Sequence, residues 1–189
     1  KCMTSLTYYK QFFEIALENS YSTSPPSALY QPIYYLLNLG GKRLRPILTL
    51  MAADIFGNNY QKAIDAALAV EIFHNFTLMH DDIMDSDDIR RNMPTVHQKY
   101  DVPSAILAGD GIFTISQLIL GTIQNNSNHL LQKYNEMVLE ICEGQALDKQ
   151  FEGEDKLNLD DYIEMVKKKT GALLGACLSL PAIISNENS

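Results

Sequence analysis

The chain has 189 residues, 46% of them hydrophobic, with a formal net charge of −8 and a pI near 4.9. That length and apolar content suffice for a single domain, 1–189, with a packed core, and they exclude a disordered or low-complexity chain. The acidic balance argues against a nucleic-acid binder, and the cations gather in three tight groups, Lys42/Arg43/Arg45, Arg90/Arg91 and Lys167/Lys168/Lys169, which suits a small anion better than a polyanion.

In chain order, residues 4–19 carry Leu6, Tyr9, Phe12, Phe13, Ala16 and Leu17 at helical spacing. The stretch "YSTSPPSA" (21–28) predicts a loop. Helices follow at 29–39, closed by Gly40-Gly41, at 43–56, ended near Gly57, and over a long span, 60–85. Residues 86–103, with Pro94 and Pro103, predict irregular backbone. The apolar stretch 104–124 predicts a buried helix, "NNSN" (125–128) a loop, and 129–151 and 159–185 two more helices, the last kinked at Pro181. No alternating strand pattern, repeat or linker interrupts this all-α reading. Cys2, Cys142 and Cys177, odd in number and widely spaced, fit reduced thiols. No run reaches the roughly 18 unbroken apolar residues of a membrane span, and no signal-peptide pattern opens the chain, so a cytoplasmic protein is the expectation.

Two stretches carry chemistry. In "HNFTLMHDDIMDSDDIRRNMPTVH" (74–97), Asp81 and Asp85 lie one helical turn apart with Asp82 adjacent. Carboxylates at that spacing suit Mg²⁺, which keeps several waters and takes one or two protein carboxylates plus substrate phosphates. A calcium loop fits poorly, lacking the required glycine and glutamate, and a soft metal would need cysteine nearby. Alone, short acidic clusters of this kind are usually a solvated helix end, and it is the apolar approach "IFHNFTLM" and the arginines after it that argue otherwise. In "GGKRLRP" (40–46), two glycines precede cations where a helix begins, and Lys42 and Arg45 share a face. A helix N-terminus adds free N–H groups and positive potential, which suits phosphate, although solvated cations at a cap would look the same.

The pieces "GGKRLRP", "HNFTLMHDDIMD", "RRNMPTVH", "AGDGIF" (108–113), "EGQALD" (143–148) and "KTGALLG" (169–175), in this order, resemble the trans-isoprenyl diphosphate synthases, or polyprenyl synthetases, of the short-chain farnesyl and geranylgeranyl type. The resemblance covers the chain from end to end. It implies an all-α isoprenoid synthase bundle around a central cavity, and condensation of isopentenyl diphosphate with an allylic diphosphate. It implies that Asp81, Asp82 and Asp85 hold Mg²⁺, that Arg90 contacts the allylic diphosphate, and that Lys169 and Thr170 lie near it. Lys42, Arg45, His74 and Arg91 match the isopentenyl diphosphate site, and Gln145 and Asp148 a helix whose polar face lines the metal site. Phe76 and Thr77 match positions that limit product length to fifteen or twenty carbons. The leaving diphosphate takes the final proton, and a homodimer joined through 104–120 is expected. Of the remaining histidines, His97 touches a phosphate or caps a turn, His80 packs and His129 is exposed, while Lys167 and Lys168 are solvated. The family carries a second aspartate-rich motif beyond the lysine–threonine pair, and the chain reaches Ser189 before one, so its C-terminal third is expected elsewhere. The alternatives are a terpene cyclase, a non-catalytic partner subunit, or a helical binding module in which the basic groups and the aspartates lie apart.

Overall fold

The computed structural model describes residues 5–20, 25–57, 59–153 and 157–185, so Cys2 and part of the predicted loop 21–28 lie outside the described residues. The described chain is helical apart from one short ribbon: α1 (Leu6–Ser20), α2 (Ser27–Asn38), α3 (Leu44–Ile55), α4 (Ile64–Met84), β1 (Ile89–Arg90), β2 (Met93–Pro94), α5 (Val96–Lys99), α6 (Val102–Leu120), α7 (Ser127–Phe151), α8 (Leu159–Val166) and α9 (Ala172–Ser185).

Helix α4 is the axis. Ala66 to Phe73 are buried without a break, so this helix meets neighbours on every side and has no solvent face until its last turn. Against one side pack Phe13, Leu17, Ile33, Leu36, Leu50 and Ile112, from α1, α2, α3 and α6. Against the other pack Leu130, Tyr134, Ile141, Leu173 and Leu180, from α7 and α9. Each fully buried large apolar side chain contributes about 1.5–3 kcal/mol relative to exposure. Helix α6 lies against α4 through the stripe Ala105, Ala108, Gly109, Ile112 and Ser116, with Ile106, Leu107 and Leu118 exposed on its outer face. It is long and apolar enough to cross a membrane by length and composition, but only 28% of it is buried: one stripe packs on α4 and the outer face stays exposed, so the buried helix expected over 104–124 is buried on one side only.

Four details depart from the sequence reading. Residues 60–63 form a 3₁₀ turn before α4 starts. The segment 86–103 is not irregular: Ile89 pairs with Pro94 and Arg90 with Met93, joined by Arg91-Asn92, both at positive φ (53° and 64°). That is the backbone of a type I′ hairpin turn, and Asn92 is the residue that favours it. Helix α6 begins two residues early, because the Asp101 carboxylate accepts the Ser104 N–H at 2.7 Å and Pro103 sits in the first turn. Finally, the last predicted helix is interrupted at Lys167–Gly171 by a π segment, whereas α9 itself continues through Pro181.

Candidate active site

The positive end of the site is built where α2 turns into α3. Gly41 has φ +153°, and a Cβ there would stand 3.1 Å from the Arg91 guanidinium, so only glycine fits comfortably. The next cations diverge. Arg43, itself left-handed (φ 53°), turns inward and is 4% exposed. Its guanidinium donates to buried Glu71 at 2.8 Å, to Glu14 at 3.1 Å and to the Leu37 carbonyl at 3.1 Å. Burial raises the Glu71 carboxyl pKa, and the bonds from Arg43 oppose that rise. Lys42 faces out. Arg91 enters from the hairpin and donates to the Gly40 carbonyl. Lys42, Arg45, His74 and Arg91 thus line one cavity of about 520 Å³, with Arg43 and Glu71 in its wall.

His74 accepts from Arg45 Nη1 at 3.1 Å through Nε2, which leaves its proton on Nδ1. Burial, reinforced by Arg45 and Arg91, pushes its pKa down to about 3, so it is neutral at physiological pH. The Nε of Arg45 is buried with no protein partner, an unspent donor in a cationic site.

A second cavity, of about 490 Å³, opens on the other side of Arg45 and His74, which line both. Its depth is apolar, with Phe76, Leu78, Ile141 and Leu173, and its polar lining includes Asp81, Gln145, Lys149, Lys169 and Thr170. Lys169 and Thr170 lie on the π segment, a feature often found at functional sites. That segment presses against α7 at Gly144, where a Cβ would collide with the backbone of Lys168 and Lys169. The contact brings Lys169 Nζ to 2.5 Å from Asp148. Lys168, expected to be solvated, instead pairs with Glu143 at 2.5 Å. Phe76 is backed by Phe73 and Phe113, each 5.4 Å away between ring centroids, and meets His80 at 4.6 Å. His80 therefore does more than pack: it lines the cavity, with Nε2 buried and without a protein partner. The Gln145 Oε1 is likewise buried without one.

The aspartates separate. Asp81 is half-buried and faces the cavity. Its carboxyl pKa is raised, chiefly by burial, against the pull of Lys169. Asp85 sits one turn on and pairs with Lys149 at 2.9 Å. Asp82, expected among the metal ligands, points the other way: its side chain is 1% exposed, and both oxygens accept from Arg90, at 2.5–2.9 Å. Arg90, expected on a diphosphate, is therefore engaged in fixing the hairpin to α4, and it lines neither cavity. Among the described residues no three His, Cys, Asp or Glu side chains converge. Two oxygen-donor carboxylates one turn apart, one of them desolvated, do fit a magnesium ion that takes its remaining ligands from water and phosphate. His97 has its Nδ1 buried without a partner, away from both cavities, and His129 is exposed as expected. Cys142 and Cys177 are free thiols.

Sequence reasoning missed Lys149 and Glu71, and it grouped Arg43 with Lys42 and Arg45 without anticipating that it turns inward. Lys149 follows directly on the "EGQALD" motif, and Glu71 lies one turn before His74, so each was within reach of the same helical-face reading.

The profile of the family described as "Polyprenyl synthetase" matches residues 26–189. A geranylgeranyl pyrophosphate synthase of Geoglobus acetivorans is 44% identical over 171 residues, which cover 89% of this chain and 54% of that protein. A geranylgeranyl diphosphate synthase of Methanosarcina mazei is 42% identical over 174 residues, 90% of this chain and 54% of that protein. The solved geranylgeranyl pyrophosphate synthetase of Geoglobus acetivorans aligns with a TM-score of 0.94 at 40% identity, over 97% of this chain and 61% of that one. The chain thus spans about half the length of the curated relatives it matches.

Proposed function

Because the chain belongs to the polyprenyl synthetase family, we propose that it is the part of a short-chain prenyltransferase that brings isopentenyl diphosphate and an allylic diphosphate together. One observation carries this reading. A cationic cavity and an amphipathic cavity share a wall made of Arg45 and His74, so two anionic substrates would meet across it. The basic groups and the aspartates do not lie apart, as a plain binding module would have them.

The roles follow from position. Lys42, Arg45 and Arg91, with neutral His74 as a hydrogen-bonding partner, bind the diphosphate of isopentenyl diphosphate. Lys169 and Thr170 hold the allylic diphosphate at the mouth of the second cavity, with the Gln145 oxygen beside them. Asp81 and Asp85 are the residues that would hold Mg²⁺, whose charge, when bound, favours departure of the diphosphate. Phe76, Leu78, Ile141 and Leu173 keep water from the allylic cation, and the Phe76 ring face lends it electron density. The isopentenyl double bond then attacks, and the released diphosphate accepts the proton. The outer face of α6, with Leu107 and Leu118 exposed, is the surface a homodimer would use.

Phe76 sets the product length in this reading. It forms the floor below Asp81, and the rings of Phe73 and Phe113 brace it. Products of fifteen or twenty carbons are expected.

Two substitutions test the reading. In the whole enzyme, Asp81→Ala should lower turnover by at least about 10²–10³-fold, the loss found on removing one charge-stabilising group, with the helical circular dichroism unchanged. Near-normal turnover in Mg²⁺ would remove Asp81 from the chemistry. Phe76→Ala should cost about 3–5 kcal/mol of stability and lengthen the products seen by chromatography with excess isopentenyl diphosphate. An unchanged product distribution from a folded, active variant would make Phe76 an ordinary core residue.

A further inference from the structure

Lys149 has no role in the two-substrate reading above, yet it occupies a telling place. Its Nζ lies 2.9 Å from Asp85 Oδ1, 2.8 Å from Glu152 Oε1 and 3.1 Å from the Met84 carbonyl oxygen. The oxygens come from the end of α4 and the end of α7, so the ammonium sits in a small all-oxygen cage at the junction of the two helices. Oxygen donors of this kind are what a hard cation takes. The same side chain lines the cavity that holds Asp81 and Lys169.

We propose that Lys149 is a built-in counter-cation of the metal site: its ammonium occupies the Asp85 carboxylate until a divalent cation displaces it, and the freed ammonium then adds to the diphosphate-binding charge of the same cavity. The inference rests on the reading of Asp81 and Asp85 as the metal-holding pair.

The energetics favour exchange at this aspartate and not at its neighbour. The Asp85 and Lys149 side chains are 37% and 31% exposed, and an exposed ion pair is weak and screened by salt. A divalent ion brings twice the charge to the same oxygens. By contrast Asp82, 1% exposed and held by Nε and Nη2 of the Arg90 guanidinium, is locked. Lys149 also lies one turn beyond Gln145 on α7, and both border the cavity that Lys169 lines, so an ammonium released from Asp85 remains at that cavity. The shift costs no backbone movement, because a lysine stem reaches both positions by rotation about its own bonds.

The two halves of this idea predict shifts of opposite sign. Mn²⁺ binding followed by electron paramagnetic resonance, without diphosphate, should tighten about twofold to fivefold in Lys149→Gln, the range expected when an exposed ion pair no longer competes. Binding of inorganic pyrophosphate in saturating Mg²⁺ should weaken in the same variant, and Lys149→Arg should stay near wild type in both. High salt should shrink the difference. If Asp85→Asn abolishes Mn²⁺ binding but Lys149→Gln leaves it unchanged or weaker, the counter-cation is overturned and the proposed function stands. Pyrophosphate affinity unchanged in Lys149→Gln would overturn the transfer to the diphosphate. Mn²⁺ binding indifferent to both Asp81→Asn and Asp85→Asn would overturn the metal reading and this inference together.

Discussion

The two cavities that share Arg45 and His74 handle charge in opposite ways. In the cationic one, the carboxylate that balances the arginines is buried: Glu71 is 2% exposed and bonded to Arg43, which is itself sealed in the wall. Lys42, Arg45 and Arg91 then face the space as a standing excess of positive charge, fixed by left-handed backbone and a backbone carbonyl. In the amphipathic cavity the lysines are spoken for, the shared Arg45 apart. Lys169 is on Asp148, Lys149 on Asp85, and these pairs are partly solvated. The first region is preorganised for one anion and needs no rearrangement. The second is close to neutral, and under the proposed function it would exchange partners before holding a metal and a diphosphate. If the proposed function holds, the site separates an anion that meets a standing positive charge from one whose arrival is coupled to a cation.

The largest test of that contrast lies in the wall. Arg43→Ala leaves Glu71 as an uncompensated buried charge and should cost about 3–5 kcal/mol in denaturant unfolding. Replacing both, Arg43→Leu with Glu71→Leu, should recover most of that loss, because an apolar pair of similar volume is often no worse than a buried ion pair. If the single variant costs less than about 1 kcal/mol, the pair is not the fixture described here. Breaking Lys149–Asp85 in the other region should barely move the same unfolding midpoint.

Next in size is the loss of substrate affinity. Arg45→Ala should weaken isopentenyl diphosphate binding by about 1.5–3 kcal/mol, the worth of a charge-assisted contact, and should weaken the allylic substrate as well, since Arg45 lines both cavities. Lys42 lines only the cationic cavity, so Lys42→Ala should spare the allylic substrate. Calorimetric titration with each diphosphate separates the two patterns. Equal losses for both substrates in Lys42→Ala would erase the boundary between the cavities.

Much of this was legible in the sequence, and what was not has a physical reason. The all-α class and the long α4 follow from periodicity, whereas the grouping of Lys42, Arg45, His74 and Arg91 was legible only through the family resemblance. Asp101 and Pro103 are start signals for α6 that the reading of 86–103 as irregular passed over. Other features depend on backbone angles that a residue string does not display. Nothing in "GGKRLRP" says that Arg43 adopts φ 53° and turns inward while its neighbours face the cavity. Nothing in "HDDIMD" says which aspartate an arginine eight residues away will claim, and Asp82 was lost to Arg90 that way. Lys149 was within reach through its i,i+3 partner Glu152, but its partners Asp85 and Met84 come from the end of α4, which the sequence string does not bring near.

The smallest expected effect is also the one in which the two regions should move in opposite directions, with pH. His74 is buried and neutral, its pKa pushed down to about 3 from an ordinary 6.5. Below pH 6.5 the unfolded chain binds a proton that the folded chain refuses, so this residue makes stability fall as pH drops from 6.5 toward 3 and leaves it flat above 6.5. One unit below 6.5 the effect is about 1.4 kcal/mol. Asp81 has the reverse sign. Its carboxyl pKa is raised above 3.8 by burial, so the folded state carries a penalty at neutral pH that is relieved as pH falls through the folded-state pKa. Urea midpoints at pH 7.5 and pH 5.5 should therefore drop less on acidification in His74→Gln than in wild type. Asp81→Asn should be more stable than wild type at pH 7.5, because it removes a desolvated charge while keeping the shape. If His74→Gln retains the full acid sensitivity, the histidine is not held neutral by its burial. If Asp81→Asn is no more stable, the carboxylate is already well paired within the protein, and the amphipathic cavity is as preorganised as the cationic one.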